Sequence, residues 1–421
     1  MPKLLTRPGS HPLRSLSRTA QSHWKLILAI ASLLLVEAYV HGRNYDVPRP
    51  SPPLDAPFYT GCQDPVLNTT ARESAVFMML ARNSEVKGAV SSVRSVQEQF
   101  NDNFGYPWVF LNDEEWTEDF KRKVGKAVGE GADVKFEVIP KEMWGYPEWI
   151  DQDRAKKSMQ DMKNRGIQYG GLESYHHMCR FQSGFFYDHP ALLPYKYYWR
   201  VEPSISFTCA ITYDPFVEMA RHKKRYGYTT ALWERGQTVP SLFRKLSLYK
   251  NEYRLPTSTL WTAMIDASWM PWPFRRMLAA LRNRDERGDL WNMCHFWSNF
   301  EIADMDFFRG DAYRAVFDYL DRDGGFYYER WGDAPVHSLA AAMLLQPQEL
   351  HHFSDWGYIH DDLQVCTFAS TEQEKARGIK IPKYEDSDGD GRQELGCRCK
   401  CDDKARIVEP VCLNRIGLTT G

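Results

Sequence analysis

The chain has no glycine-rich phosphate fingerprint: neither GxGxxG nor a Walker loop occurs in its 421 residues. Dinucleotide redox chemistry and P-loop phosphoryl transfer therefore lack the backbone cradle that each uses. Charge of one sign is also missing. The 53 Lys and Arg against 55 Asp and Glu leave a formal net charge of −2, which offers no electrostatic footprint for a nucleic-acid partner. Two apparent metal motifs each miss a required part. Asp386-Ser387-Asp388-Gly389-Asp390-Gly391 opens like a calcium loop, but its twelfth position is Cys397 instead of glutamate, so it reads as a solvated acidic loop. Cys397, Cys399 and Cys401 follow a CxCxC pattern and not the two-residue gap of zinc sites. Disulfides with Cys366 and Cys412 are the preferred reading in an oxidising compartment.

What is present begins with topology. Residues 1–23 carry Lys3, Arg7, Arg14 and Arg18 and no acidic residue, and the apolar run Leu26 to Val40 follows. This predicts a cytoplasmic tail (1–23) and a transmembrane signal anchor (24–40) in single-pass type II orientation. A cleaved signal peptide is the competing reading. Residues 41–70 form a proline-rich stem, with five prolines between His41 and Pro57, which is expected to hold the body off the membrane. Nine cysteines and the Asn68-Thr69-Thr70 sequon agree with a lumenal body. Residues 71–365 form the main domain, and 366–421 a loosely packed, cysteine-containing appendage.

A hydrophobic fraction of 43% and an aromatic fraction of 14% suffice for a large core. Ala75 to Leu80, Trp108 to Leu111 and Lys135 to Ile139 read as strands, with helices over Glu85 to Phe100 and Glu114 to Gly129. Further helices are expected over Asp214 to Tyr226, Tyr313 to Leu320 and His337 to Leu345, with a strand over Tyr228 to Trp233. Such alternation predicts an α/β fold with a mostly parallel sheet. The run YYWRVEPSISFTCAITYDPF from Tyr197 then delivers Glu202 to a turn. Pro203 disfavours helix at the residue before it, so Glu202 stands where a strand ends, a usual place for ligands in open α/β sheets. Arg200, two residues earlier, shares its strand face and suits either a salt bridge to Glu202 or a phosphate contact.

This run, with AVFMMLARNSEVKGAVSSVRSVQEQFN from Ala75, SYHHMCRFQSGFFY from Ser174, NMCHFWSNFEIADMDFF from Asn292, GGFYYERWGDAPVHSLAAA from Gly324 and HHFSDWGYIH from His351, resembles the fungal α-1,2-mannosyltransferases of glycosyltransferase family 15. The resemblance implies a GT-A-type, modified Rossmann-like mixed sheet flanked by helices. It also implies a retaining transfer of mannose from GDP-mannose to mannose-terminated N- or O-glycans of secretory glycoproteins, in the Golgi membrane. By position, Glu202 and His360 are the expected Mn²⁺ ligands, Glu301 the nucleophile, and Tyr175 a residue beside donor and acceptor. Arg180 and Asp333 are candidates for phosphate or sugar contacts. Tyr327, Tyr328 and Trp331 are weaker sugar-binding candidates, and His176 and His177 suit packing or phosphate contacts equally. The family commonly reads Glu-Pro-Asp where this chain has Glu202-Pro203-Ser204, and a neutral hydroxyl is a poorer partner for a hard cation. A non-catalytic mannan-binding or Golgi assembly role, or another nucleotide-sugar donor, stays open on that ground.

Overall fold

A computed structural model describes residues 23–45, 58, 64–65, 72–365, 396–402 and 404–420. Asn68, Cys366 and the 386–391 loop lie outside these residues. The chain enters on α1 (Trp24–Arg43), which among the described residues is the one helix long and apolar enough to cross a membrane. Most of α1 is exposed, but Leu34, Glu37, Ala38, His41 and Gly42 are half-buried. That three-and-four spacing is one helical stripe, and it faces the body: Glu37 meets Arg275 at 2.6 Å and His41 meets Asp289 at 2.8 Å. The expected stand-off on the stem is therefore corrected. The body lies against the C-terminal half of α1.

The main domain begins with β1 (Ala75–Leu80), α2 (Val86–Val96), β2 (Trp108–Asn112), α3 (Glu118–Val128) and β3 (Val134–Val138). Thr117 starts α3 by accepting the Phe120 amide on its hydroxyl, an ordinary N-cap. Helix α4 (Glu173–Gly184), β4 (Tyr197–Val201) and β5 (Ile205–Phe207) follow. After them come β6 (Tyr226–Tyr228), β7 (Ala231–Trp233), β8 (Ile265–Asp266), β9 (Leu290–Trp291), β10 (Cys294–Phe296) and β11 (Phe300–Asp304). Helices α5 (Asp311–Asp323) and α6 (Asp333–Leu344) precede β12 (Leu350–His352), β13 (Tyr358–His360) and β14 (Leu363–Val365). The tail adds β15 (Arg406–Ile407) and α7 (Val411–Thr420).

Seven strands form one sheet in the order β12-β6-β11-β4-β1-β2-β3. It is mixed: β11 runs antiparallel to both β4 and β6, while the other four pairings are parallel. Two apolar clusters cover its two faces, and strand alternation sorts the residues between them. In β1, Val76 and Met78 enter one cluster and Phe77 and Met79 the other. In β4, Tyr198 and Trp199 divide in the same way. The helix expected over Asp214 to Tyr226 stops at Arg221. Lys223 takes the left-handed conformation, φ 57°, a common way to close a helix, and the chain is then free to enter β6.

A second sheet, β15-β14-β13-β5, sits at the end of β4. The described part of the tail, residues 396–402 and 404–420, is not the loosely packed, disulfide-pinned appendage expected but is built into the fold. Strand β15 pairs with β14, Cys399 bonds Cys209, and Cys412 bonds Cys294. The predicted pairing of Cys412 with the CxCxC group is thus corrected, and buried Cys179 is free.

Candidate active site

Glu202 and His360 meet because two strands of the small sheet bring them together. The Glu202-Pro203-Ser204 turn joins β4 to β5, and β5 pairs with β13 so that Ile205 lies opposite His360. His360 Nε2 stands 3.7 Å from Glu202 Oε2, too far for a hydrogen bond. The other Glu202 oxygen accepts from Arg200 at 2.5 Å. Arg200 also donates to Asp333 Oδ2 at 2.5 Å, and Ser298 donates its hydroxyl to the same oxygen at 2.7 Å.

Glu301 faces Arg200 directly across the β11–β4 ladder. Period-two alternation therefore puts Glu301 on the face that carries Tyr198, Arg200 and Glu202. The Glu301 side chain is wholly buried, and both its oxygens are occupied. Tyr198 donates to Oε1 at 2.6 Å, Tyr226 donates to Oε2, and His337 Nδ1 lies 2.9 Å from Oε2. His337 Nε2 faces the Gln182 carbonyl at 3.0 Å. Both ring nitrogens thus face oxygen atoms, which fixes the orientation of the ring. Burial pushes the Glu301 carboxyl up. The His337 charge and hydrogen bond, with Arg200 and Tyr198, outweigh burial and hold it below the ordinary range. Asp333 is depressed in the same way, burial being outweighed chiefly by Arg200 and then His337. Burial, and then the Glu301 charge, raise Tyr198 and Tyr226 well above the usual phenol value, so both remain donors.

Tyr175, near the start of α4, joins the same neighbourhood through Arg330, which donates to its hydroxyl at 3.3 Å and to Glu234 at 3.3 Å. Arg180 does not join it. Its guanidinium is a buried fork on Asp321, at 2.7 and 2.8 Å, so the expected phosphate contact is corrected to a structural ion pair. His176 spends both ring nitrogens on backbone carbonyls, and His177 contacts the Tyr327 hydroxyl. Tyr327 donates to the Gly145 carbonyl and Trp331 to Glu329. These two aromatics are core residues rather than a sugar platform.

Tyr198, Tyr226, Ser298, His337 and Glu234 are among the participants that escaped the sequence reading. His337 carried a signal. It is four residues after Asp333 on α6, so both project from one helix face, and that face meets the Arg200–Glu301 pair.

Manganese can be tested against these side chains. Three carboxylates, Glu202, Asp333 and Glu301, surround the single guanidinium of Arg200, an acidic excess that favours a cation. His360 presents Nε2 to Glu202, while its Nδ1 has no hydrogen bond and stands 3.6 Å from the Asp361 carboxylate. Ligands bound at 90° about 2.0–2.6 Å from a hard cation lie roughly 3–4 Å apart, and the Glu202–His360 separation falls there. Among the described residues no third His, Cys, Asp or Glu completes a metal-holding group. The pair fits a cation that takes its remaining ligands from substrate oxygens and water.

The glycolipid 2-alpha-mannosyltransferase family model matches residues 59–386. The chain belongs to this mannosyltransferase family. Like its other members it is a glycosyltransferase of the α-1,2-mannosyltransferase class. Relatives include O-glycoside alpha-1,2-mannosyltransferase homolog 4 of Schizosaccharomyces pombe, 42% identical over 82% of this chain and 77% of the relative. Alpha-1,2 mannosyltransferase KTR1 of Saccharomyces cerevisiae is 41% identical over 81% and 84%. Among solved structures, Core-mannan synthase A of Aspergillus fumigatus, in an Mn/GDP form, matches with TM-score 0.66 at 33% identity over 88% of this chain and 89% of that one. The mannosyltransferase Ktr4p of S. cerevisiae in complex with GDP matches with TM-score 0.65 at 33% identity over 82% and 85%. The mannosyltransferase fold expected from the sequence is therefore the one found, including its mixed sheet.

Proposed function

We propose that this mannosyltransferase moves mannose from GDP-mannose to a mannose-terminated glycan of a secretory glycoprotein, with retention, on the lumenal side of the Golgi membrane. The observation that carries this reading is the set of buried polar atoms, donors and one acceptor, that lack hydrogen-bond partners around the Arg200–Asp333 pair. Arg200 Nε, Arg330 Nε and both polar atoms of the Asn299 amide lack a protein partner. Buried polar groups are nearly always satisfied, and sugar hydroxyls and diphosphate oxygens are groups that would satisfy these. The Mn²⁺ and GDP of the Aspergillus relative support the same donor here.

Glu202 and His360 would hold the Mn²⁺, whose contribution when bound is to neutralise the diphosphate. Arg200 orients Glu202 and Asp333 through its hydrogen bonds and holds Asp333 ionised. Tyr175 and Asp333 are placed to position a hydroxyl. Glu301, ionised well below neutral pH, supplies negative charge for the anomeric carbon. As nucleophile it would bond to that carbon as the carbon–oxygen bond to GDP breaks. The acceptor hydroxyl would then displace it and restore the original configuration. Occupation of both Glu301 oxygens favours a second version, in which the sugar cation is ion-paired to Glu301 and no covalent bond forms.

Transfer assays with GDP-mannose and other nucleotide sugars, using methyl mannoside as acceptor, test this. Glu301→Gln should lower kcat by about 10²–10³-fold, and His360→Ala should raise the Mn²⁺ requirement. Undiminished turnover in Glu301→Gln overturns the role of Glu301. Mannose binding without turnover from any donor points to a lectin-like protein instead. A mannosyl-enzyme seen by mass spectrometry distinguishes the covalent version from the ion-paired one.

A further inference from the structure

Strands β8 and β9 form a two-stranded ladder with Ile265 opposite Trp291, and the chain between them loops out of the body. Its tip is unusually apolar for a surface. Trp269 is 83% exposed and Met277 74%, and Trp272, Phe274 and Leu281 are each at least half exposed. Exposed apolar residues gathered in one segment mark an interaction site.

The loop's position indicates the partner. Arg275 reaches Glu37 of α1 at 2.6 Å, and the Trp272 amide donates to the same carboxylate at 2.8 Å. Glu37 lies six residues before Arg43, the end of the helix, or about 9 Å at 1.5 Å per residue. The half-buried stripe continues to Leu34, nine residues or about 14 Å below the same end. A 20-residue helix is about 30 Å long, the thickness of the hydrocarbon core. Any body segment that touches Glu37 is therefore at or below the lumenal headgroups when α1 spans the membrane. Trp side chains are favoured at that level. A cavity of about 620 Å³ beside the loop is lined by Arg275, Arg276 and Arg287 together with Glu286, His41 and Thr257; with Arg275 paired to Glu37, Arg276 and Arg287 against Glu286 leave it net basic, which suits lipid phosphates.

We infer that the Ser268–Leu281 loop is a second membrane anchor, which inserts into the lumenal leaflet beside α1 and holds the catalytic domain flat on an anionic lipid surface. This rests on the reading of α1 as a membrane span. A fixed face would restrict acceptors to glycans close to the bilayer.

The test uses the full chain in phosphatidylcholine vesicles, with and without phosphatidylserine, containing dibrominated phosphatidylcholine as a tryptophan quencher. Replacing both exposed indoles, Trp269→Phe with Trp272→Phe, should remove a clear part of the lipid-quenchable emission. Adding phosphatidylserine should increase the wild-type quenching. Identical quenching in the wild type and the double variant overturns the inference. Alkaline carbonate extraction tests the span separately. A chain that stays with the vesicles but shows no loop quenching keeps its anchor and loses this inference, whereas an extracted chain refutes the span itself. Should the double variant misfold, the single Trp269→Phe replacement reads the same signal, because that indole is almost free of the body.

Discussion

Ser204 occupies the left-handed region, φ 67°, directly after the Glu202-Pro203 pair. Few L-residues adopt that conformation readily, and Asp and Asn are among those that do. The position is also open to solvent. The backbone of the turn is therefore suited to an aspartate, and serine changes the charge without changing the path of the chain. A unit negative charge about 6 Å from a divalent cation in water-like surroundings is worth about 1.4 kcal/mol, or about tenfold in affinity. Ser204→Asp should accordingly lower the half-saturating Mn²⁺ concentration by about tenfold with kcat little altered. An unchanged Mn²⁺ titration would mean that this side chain lies outside the reach of the ion. A mild penalty is the outcome expected where Glu202 and His360, 3.7 Å apart, would be the main donors.

At the scale of elements, α4 and α5 touch so closely that one hydrogen separates order from collision. A methyl group on Gly184 would come within 1.9 Å of the Phe317 ring, which is buried against Phe185 and Phe326. Gly184→Ala should destabilise the fold by about 1–3 kcal/mol, and Phe317→Leu in the same chain should restore part of the loss. Thermal unfolding of the three variants measures this. Because the Gln182 carbonyl of α4 accepts from His337, the shift should also lower turnover through Glu301. Much of this layer could be read in advance. The β1 strand falls on the predicted residues, since a short apolar run between Ser74 and Arg82 admits little else. The shared face of Arg200 and Glu202 followed from period two. The antiparallel course of β11 could not be read, because FEIAD has the same pattern in either direction. The donors to Glu301 were hidden for a related reason: Tyr226 and His337 lie 75 and 36 residues away, and only the pairing of β6 with β11 and the packing of α6 bring them together.

The whole molecule carries two opposed proton linkages. Glu301 and Asp333 are depressed below their ordinary values of 4.5 and 3.8. The unfolded chain binds protons there that the folded chain refuses, so their stabilisation is present above those values and is lost as pH falls through the lower folded ones. Asp355 behaves oppositely. It is sealed among aromatic residues, with Tyr213 donating to one oxygen at 2.9 Å, and burial pushes it up from 3.8 to about 7. The folded chain keeps that proton after the unfolded chain has released it, so stability declines as pH rises from about 4 to about 7. Asp355→Asn preserves the acceptor for Tyr213 and removes the titration. Its melting temperature should match the wild type near pH 4 and exceed it at pH 8, flattening the alkaline side of the stability curve alone. Parallel curves for the two proteins would show that Asp355 ionises freely in the folded state. The acid side should be untouched by this substitution, because it belongs to Glu301 and Asp333 on the opposite face of the sheet.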